Sequence, residues 1–186
     1  MKVEKTEIPG VLILTPKVFE DDRGFFLESY NRKQFADAGI DVEFVQDNHS
    51  KSSKGVVRGL HFQKQFPQGK LIRAIRGEVL DVIVDIRKGS PAFGRWISVL
   101  ISEENKKQVW IPRGLGHGFS VLSETAEFCY KVDEFYHPED EGGIRWDDPQ
   151  LKINWEVTSP ILSEKDRELP LLKEIEEQLP LFRIID

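Results

Sequence analysis

The sequence predicts an all-β chain closed as a barrel or sandwich with a few short helices, and three observations carry that expectation. Short runs rich in Val, Ile, Leu and Phe recur along the chain, each ended by Gly, Pro, Asn or Asp. Turn signals such as "RKGSPAFG" separate them. The run "EVLDVIVDIR" gives one wholly apolar face of Leu80, Val82, Val84 and Ile86, and an opposite face of Asp81, Ile83, Asp85 and Arg87. Such a strand packs on one side and lines something polar on the other. Together with the run 56–63 it points to a barrel with a polar interior, one way that small β-barrels make ligand sites.

Taken in order, strands are expected at 11–14, 24–30, 43–48, 56–63, 70–76, 78–87, 96–101, 108–111, 118–122 and 127–135. A helix is expected at 32–38, with Asn31 as N-cap and Gly39 as its stop. A second short helix is expected after Ser102, where "SEEN" reads as a capping start. The tail from Ser163, "SEKDRELPLLKEIEEQLP", reads as short helical pieces interrupted by Pro170. No repeat or long linker divides the chain, so one domain, 1–186, is expected.

The 186 residues are 39% hydrophobic and 31% charged, the balance of a globular chain long enough to bury a core. A net charge of -6 without a basic tail argues against general nucleic-acid binding. It leaves room for a small anion held by a local basic cluster. Cys129 is the single cysteine, which excludes an intrachain disulfide and fits a reducing compartment. The start "MKVEKTEIPG" has no apolar signal core and no apolar run approaches a membrane span. A cytoplasmic location, away from membranes, is expected.

The stretch "VVRGLHFQKQFPQGKLIRAIRGE" places Arg58, His61, Gln63, Lys70 and Arg73 within strand-like sequence. Leaving such groups buried without partners costs about 1–3 kcal/mol each, so a ligand or an internal network must satisfy them. "VWIPRGLGHGFSV" follows with Pro112, Gly114 and His117. Its Pro-x-Gly-x-x-His pattern resembles the second motif of cupin jelly rolls. The first cupin motif is Gly-x5-His-x-His; here Gly55 and His61 fit, but Gln63 replaces the second imidazole. The expectation is a cupin-type double-stranded β-helix that has lost its metal, with Lys70 as an ammonium that repels a divalent cation.

"DDRGFFLESY" and "FVQDNHSKS" supply Arg23, Glu28, Gln46, Asp47 and Asn48, which read alone as turn and surface residues. Phe25 and Phe26 beside Arg23 also offer an aromatic surface with a guanidinium, suited to a nucleobase and a phosphate. In "FCYKVDEFYHPEDEGGIRWDDP" alternation puts Tyr130 with Phe128 and Val132, and Tyr136 lies six residues on. Lys165 and Asp166 of "LSEKD" read alone as an exposed helical start.

These segments, with "VLILTPKVFEDDRGFFLESYN", "GEVLDVIVDIRKGSPAFGRW" and "SEENKKQVWIPRGLGHGF", run in order from Ile8 to Asp166 and closely resemble the dTDP-4-dehydrorhamnose 3,5-epimerases. The resemblance implies inversion of C3 and C5 of dTDP-4-dehydro-6-deoxyglucose by a cupin-type homodimer that uses neither metal nor organic cofactor. It implies that His61 is the general base, Asp166 the carboxylate that orients it, Tyr130 the general acid, and Lys70 a neighbour of the C4 oxygen. It also implies nucleotide-sugar contacts from Arg23, Glu28, Gln46, Asp47, Asn48, Arg58, Lys70, His117, Glu141 and Lys165, with Tyr136 stacked on thymine. Part of the site is implied to come from the partner subunit, for which "DDRGFFLE" is the expected donor. Phe135 departs from the Tyr that some relatives carry there.

The chemistry fits these residue types. C3 and C5 both lie α to the carbonyl, so their hydrogens are acidic enough to remove. Inversion takes a proton from one face and returns one to the other, which calls for a base and an acid on either side. Whether Asp166 or Asp81 holds His61 stays open. So do a single-carbon epimerase or a 3,4-ketoisomerase on the same scaffold, a metal-dependent cupin oxygenase, and a non-catalytic nucleotide-sugar module.

Overall fold

The computed structural model describes residues 1–182; residues 183–186, the end of the expected domain, lie outside the described residues. The N-terminal strands are β1 (Lys2–Lys5), β2 (Leu12–Thr15), β3 (Val18–Asp21) and β4 (Gly24–Leu27), followed by helix α1 (Arg32–Asp37). Then come β5 (Gln46–Ser53), β6 (Val57–Gln63), β7 (Lys70–Arg76), β8 (Glu78–Asp85) and β9 (Trp96–Ser102). After these run β10 (Gln108–Ile111), β11 (Leu115–Val121), β12 (Thr125–Val132) and β13 (Glu141–Gly143). The tail holds α2 (Glu164–Arg167) and α3 (Leu172–Ile175).

Two antiparallel sheets form a cupin-type jelly roll. One has the order β1-β2-β10-β7-β12-β5, the other β13-β6-β11-β8-β9, and β3-β4 stands apart as a hairpin. The core between the sheets holds Ile72, Val79, Ile83, Val109, Phe119 and Phe128. The fully apolar face of β8 does not line this interior. Val82 and Val84, with Ile86 just beyond, turn outward and are covered by Trp155, Leu172, Ile175 and Leu179. The mixed face, with Asp81, is the one that faces the opposite sheet. The tail is therefore the second layer over β8, and this packing fixes where α2 sits.

Helix α1 has the expected cap: the Asn31 side chain accepts from Gln34 N, and Phe35 is the buried anchor. The helix expected after Ser102 is instead a tight turn. Ser102 N donates to Asn105 Oδ1, Asn105 N donates to Ser102 Oγ, and Asn105 Nδ2 donates to Leu100 O. Lys106 then takes φ 54°, which turns the chain into β10 before a helical turn can propagate. Strand β5 runs to Ser53, well past its expected end, because it pairs with β12 along its whole length, its even positions turned inward and its odd positions exposed. Among the described residues, β1, β3 and β13 were not expected; each has three or four residues and is recruited by a neighbouring strand. No helix among the described residues is long and apolar enough to cross a membrane.

Candidate active site

Between the sheets lies a cavity of about 150 Å³ lined by Ser50, Arg58, His61, Lys70, His117, Phe119, Phe128 and Tyr130, with Gly118. Strand alternation explains its furnishing. On β12 the inner side chains Phe128 and Tyr130 join the core between the sheets. Tyr130 pairs directly with Asn48 and Phe128 with Ser50, so these β5 side chains share the inner face. On the other sheet His117 of β11 pairs with His61 of β6, which sets two imidazoles side by side on one wall.

Each imidazole has its own carboxylate. His61 Nε2 donates to Asp166 Oδ1 at 2.5 Å, and His117 Nε2 lies 2.7 Å from Asp81 Oδ1. The choice between Asp166 and Asp81 at His61 is thereby decided by geometry. Asp166 reaches its place because Ser163 caps α2, its hydroxyl accepting from Asp166 N. Burial pushes the Asp166 carboxyl up, but the His61 hydrogen bond and charge, with bonds from Ser163 and Gly59, outweigh it and hold the group below the usual range. An ionised carboxylate only accepts, so the proton sits on His61 Nε2 and the lone pair on Nδ1.

Burial pushes Asp81 up and His117 down, against the mutual attraction of the pair. Asp81 Oδ2 is buried without a hydrogen-bond partner among the described residues. Burial likewise pulls Lys70 down to about 8, opposed by the charges of Asp81 and Glu141. Tyr130 moves the other way, its phenol pushed up by burial and so kept protonated at neutral pH.

The mouth of the cavity is built by β13 and the tail. Tyr136 donates its hydroxyl to Glu141 Oε2 at 2.6 Å, and Lys165 Nζ bonds the same oxygen. The hydrogen bond to the carboxylate pushes Tyr136 up to about 12. Gln46 Oε1 accepts from Tyr136 N, and Gln46 Nε2 donates to Asn48 Oδ1. Arg58 Nε donates to Ser52 Oγ. Thus Arg58, His61, Lys70, His117 and Tyr130 line the cavity, and Asp166 joins them through His61. Gln46, Asn48, Tyr136, Glu141 and Lys165 form a bonded group beside it, where the Glu141 charge acts on Lys70 and Tyr130.

Four residues do not join them within this chain. Arg23 forms a two-armed pair with Asp21 on the exposed hairpin. Glu28 accepts from Asn31 and Gln34 side chains near α1. Asp47 points to the opposite face of β5 from Asn48 and pairs with Lys131. Arg73, grouped with Lys70 by sequence proximity, lies on the outer face of its sheet beside Cys129, because odd and even positions of β7 separate. Sequence reading missed Ser50 and the stacked Phe119–Phe128 pair, with ring centroids 4.5 Å apart, which forms the apolar wall. Stepping by two from Asn48 and from Tyr130 finds Ser50 and Phe128.

Fold and cavity together define a cupin-type barrel whose interior brings together an imidazole–carboxylate dyad, a phenol and a lysine. The family model described as dTDP-4-dehydrorhamnose 3,5-epimerase matches residues 5–174. The chain belongs to this family. It is 60% identical over 168 residues to the dTDP-4-dehydrorhamnose 3,5-epimerase of Shigella flexneri, covering 89% of this chain and 93% of that protein. It is 57% identical over 170 residues to the same enzyme of Pseudomonas aeruginosa, covering 90% and 94%. Among solved structures, the dTDP-6-deoxy-D-glucose-3,5-epimerase of Legionella pneumophila, in complex with dTDP-4-keto-L-rhamnose, superposes with a TM-score of 0.95 at 49% identity, covering 98% and 99% of the two chains.

Proposed function

We propose that this chain converts dTDP-4-dehydro-6-deoxy-D-glucose to dTDP-4-dehydro-L-rhamnose by inverting C3 and C5. The observation that carries the reading is the convergence of the His61–Asp166 dyad with Lys70 and Tyr130 on one cavity in a chain of this family. His61 removes the proton α to the keto group through its free nitrogen while Asp166 holds the tautomer. Lys70 stabilises the enolate oxygen that forms at C4, the role of an oxyanion-hole donor. Tyr130, protonated at neutral pH, returns a proton on the other face. The keto group is itself the electron sink for both inversions. His117, oriented by Asp81, serves as a neighbouring polar contact to the sugar.

The nucleotide half is held at the mouth. Arg58 grips diphosphate oxygens with paired hydrogen bonds, and Lys165 adds charge. Tyr136 stacks on the thymine. Remote binding of this kind holds the sugar in a reactive pose. We further propose a cytoplasmic homodimer in which Arg23 and Glu28 reach the partner's cavity. In support, Phe25 and Phe26 on β4 are 57% and 65% exposed, an apolar patch typical of an interface.

Incubation with the substrate in deuterium oxide tests the reading. Deuterium at both C3 and C5 of an L-configured product is expected by NMR. Label at one carbon only would make the chain a single-carbon epimerase.

A further inference from the structure

We propose that Gln63 is a positioning residue for nucleotide binding: its side-chain amide holds residues 135–137, and with them the Tyr136 ring, at the cavity mouth. The inference rests on the reading of Tyr136 as the residue that stacks on the base. Gln63 stands where the cupin motif carries a second imidazole, on the same strand as His61, and is only 4% exposed. Its amide makes no bond to the other cavity side chains. Nε2 donates to Phe66 O at 2.6 Å and to Phe135 O at 3.1 Å, while Oε1 accepts from His137 N at 2.8 Å. One side chain thus joins two loops, the one before β7 and the one between β12 and β13, and brackets Tyr136 from both sides in sequence.

The two loops do not depend on Gln63 equally. The first is also held by the buried Asp140 carboxylate, which accepts from Gln65 N and Phe66 N, and by Asp133 Oδ1, which accepts from Gly69 N. The start of the second is held by Gln68 Nε2, which donates to Glu134 O, and by Arg113 Nη2, which donates to Asp133 O. At residues 135–137 the contacts with other elements besides the clamp are a 3.3 Å bond from Tyr136 N to Gln46, the Tyr136 phenol on Glu141, and the His137 ring stacked on Phe66 at 4.3 Å. The local ones are Phe135 N to Glu134 Oε1, Asp140 N to His137 O, and the His137 ring beside Glu139. Removing the amide therefore leaves Phe135 O and His137 N without a partner and releases that three-residue segment. Gln63 shares β6 with His61, but the clamp is made by its side chain and not by the backbone ladder that holds β6 to β11 and β13, and Lys70 and Tyr130 lie on β7 and β12. The effect falls on binding and spares chemistry.

The test is Gln63→Met, which keeps an unbranched side chain of similar length but cannot donate or accept through an amide. Calorimetry with dTDP should give a Kd raised about tenfold, the scale of one or two lost buried hydrogen bonds, with kcat at saturation within about threefold. Amide exchange at His137 should quicken. Tyr136→Ala should weaken dTDP as well, and the double variant should be little weaker than Tyr136→Ala alone. Unchanged dTDP affinity in Gln63→Met, or a fall in kcat with affinity intact, overturns the inference. If Tyr136→Ala binds dTDP normally, it is the stacking reading that fails, and the inference fails with it. Wild-type protein gives an independent reading should Gln63→Met not fold: saturating dTDP should slow exchange at His137, and unchanged exchange there overturns the proposal.

Discussion

Replacing His61 with alanine is expected to lower kcat by about a thousandfold while dTDP binds within about twofold of wild type, the range for loss of a general base that does not contact the nucleotide. The expectation follows from the division of the site. His61 sits on β6 inside the cavity with Asp166 behind it, whereas Tyr136, Glu141 and Lys165 form the mouth. A residue that merely braced the barrel would lose binding and stability with turnover. A general base loses turnover alone. Steady-state kinetics beside dTDP calorimetry separates the two, and an alanine variant with full activity would remove His61 from the mechanism.

Lys70→Met is expected to cost about 10²–10³ in kcat, as for removal of one preorganised donor to a developing oxyanion. The wild-type pH profile carries the same information. Lys70 is pulled down to about 8, so it is charged at neutral pH and loses its proton as pH rises through that value. kcat/KM, which reports the free enzyme, should fall above about pH 8. The bound diphosphate favours the ammonium, so the limb in kcat should lie higher. Tyr130 and Tyr136 are both pushed above the ordinary phenol range and cannot produce a limb near 8. The groups whose charge acts on Lys70 are Asp81 and Glu141, which hold its proton. A kcat/KM that stays flat to pH 10, or a Lys70→Met enzyme that keeps wild-type turnover, contradicts the assignment.

Much of this site could be read from strand alternation. His61 and Lys70 stand out because polar side chains occupy inward positions of strands, and Tyr130 follows Phe128 by two, whereas Arg58, an odd offset from His61, shares the cavity only because the pairing of β6 with β11 slips between the two. The same rule corrects the reading where proximity misled it. Arg73 lies three residues from Lys70, and an odd offset puts it on the other face of β7. Asp47 leaves Asn48 in the same way. What alternation cannot supply is docking over long separations. Asp166 reaches His61 across 105 residues because the tail packs on the outward face of β8, and no local pattern records that. Asp81 lies on β8, with β11 between it and the His61 strand, and is taken by His117 of that intervening strand. The "SEEN" turn failed for a related reason. Its side chains do make reciprocal capping bonds, but to close a turn between two strands whose pairing outweighs a short helix.

The proposed epimerisation needs one arrangement, an imidazole and a phenol acting on opposite faces of the same sugar ring. Tyr130→Phe, incubated with substrate in deuterium oxide and followed by NMR, tests it most directly. Proton removal by His61 should persist, so recovered D-configured substrate should gain deuterium, while formation of the L-sugar falls by about 10²–10³, the scale of a lost general acid. A Tyr130→Phe enzyme that makes the L-sugar at the wild-type rate would contradict it.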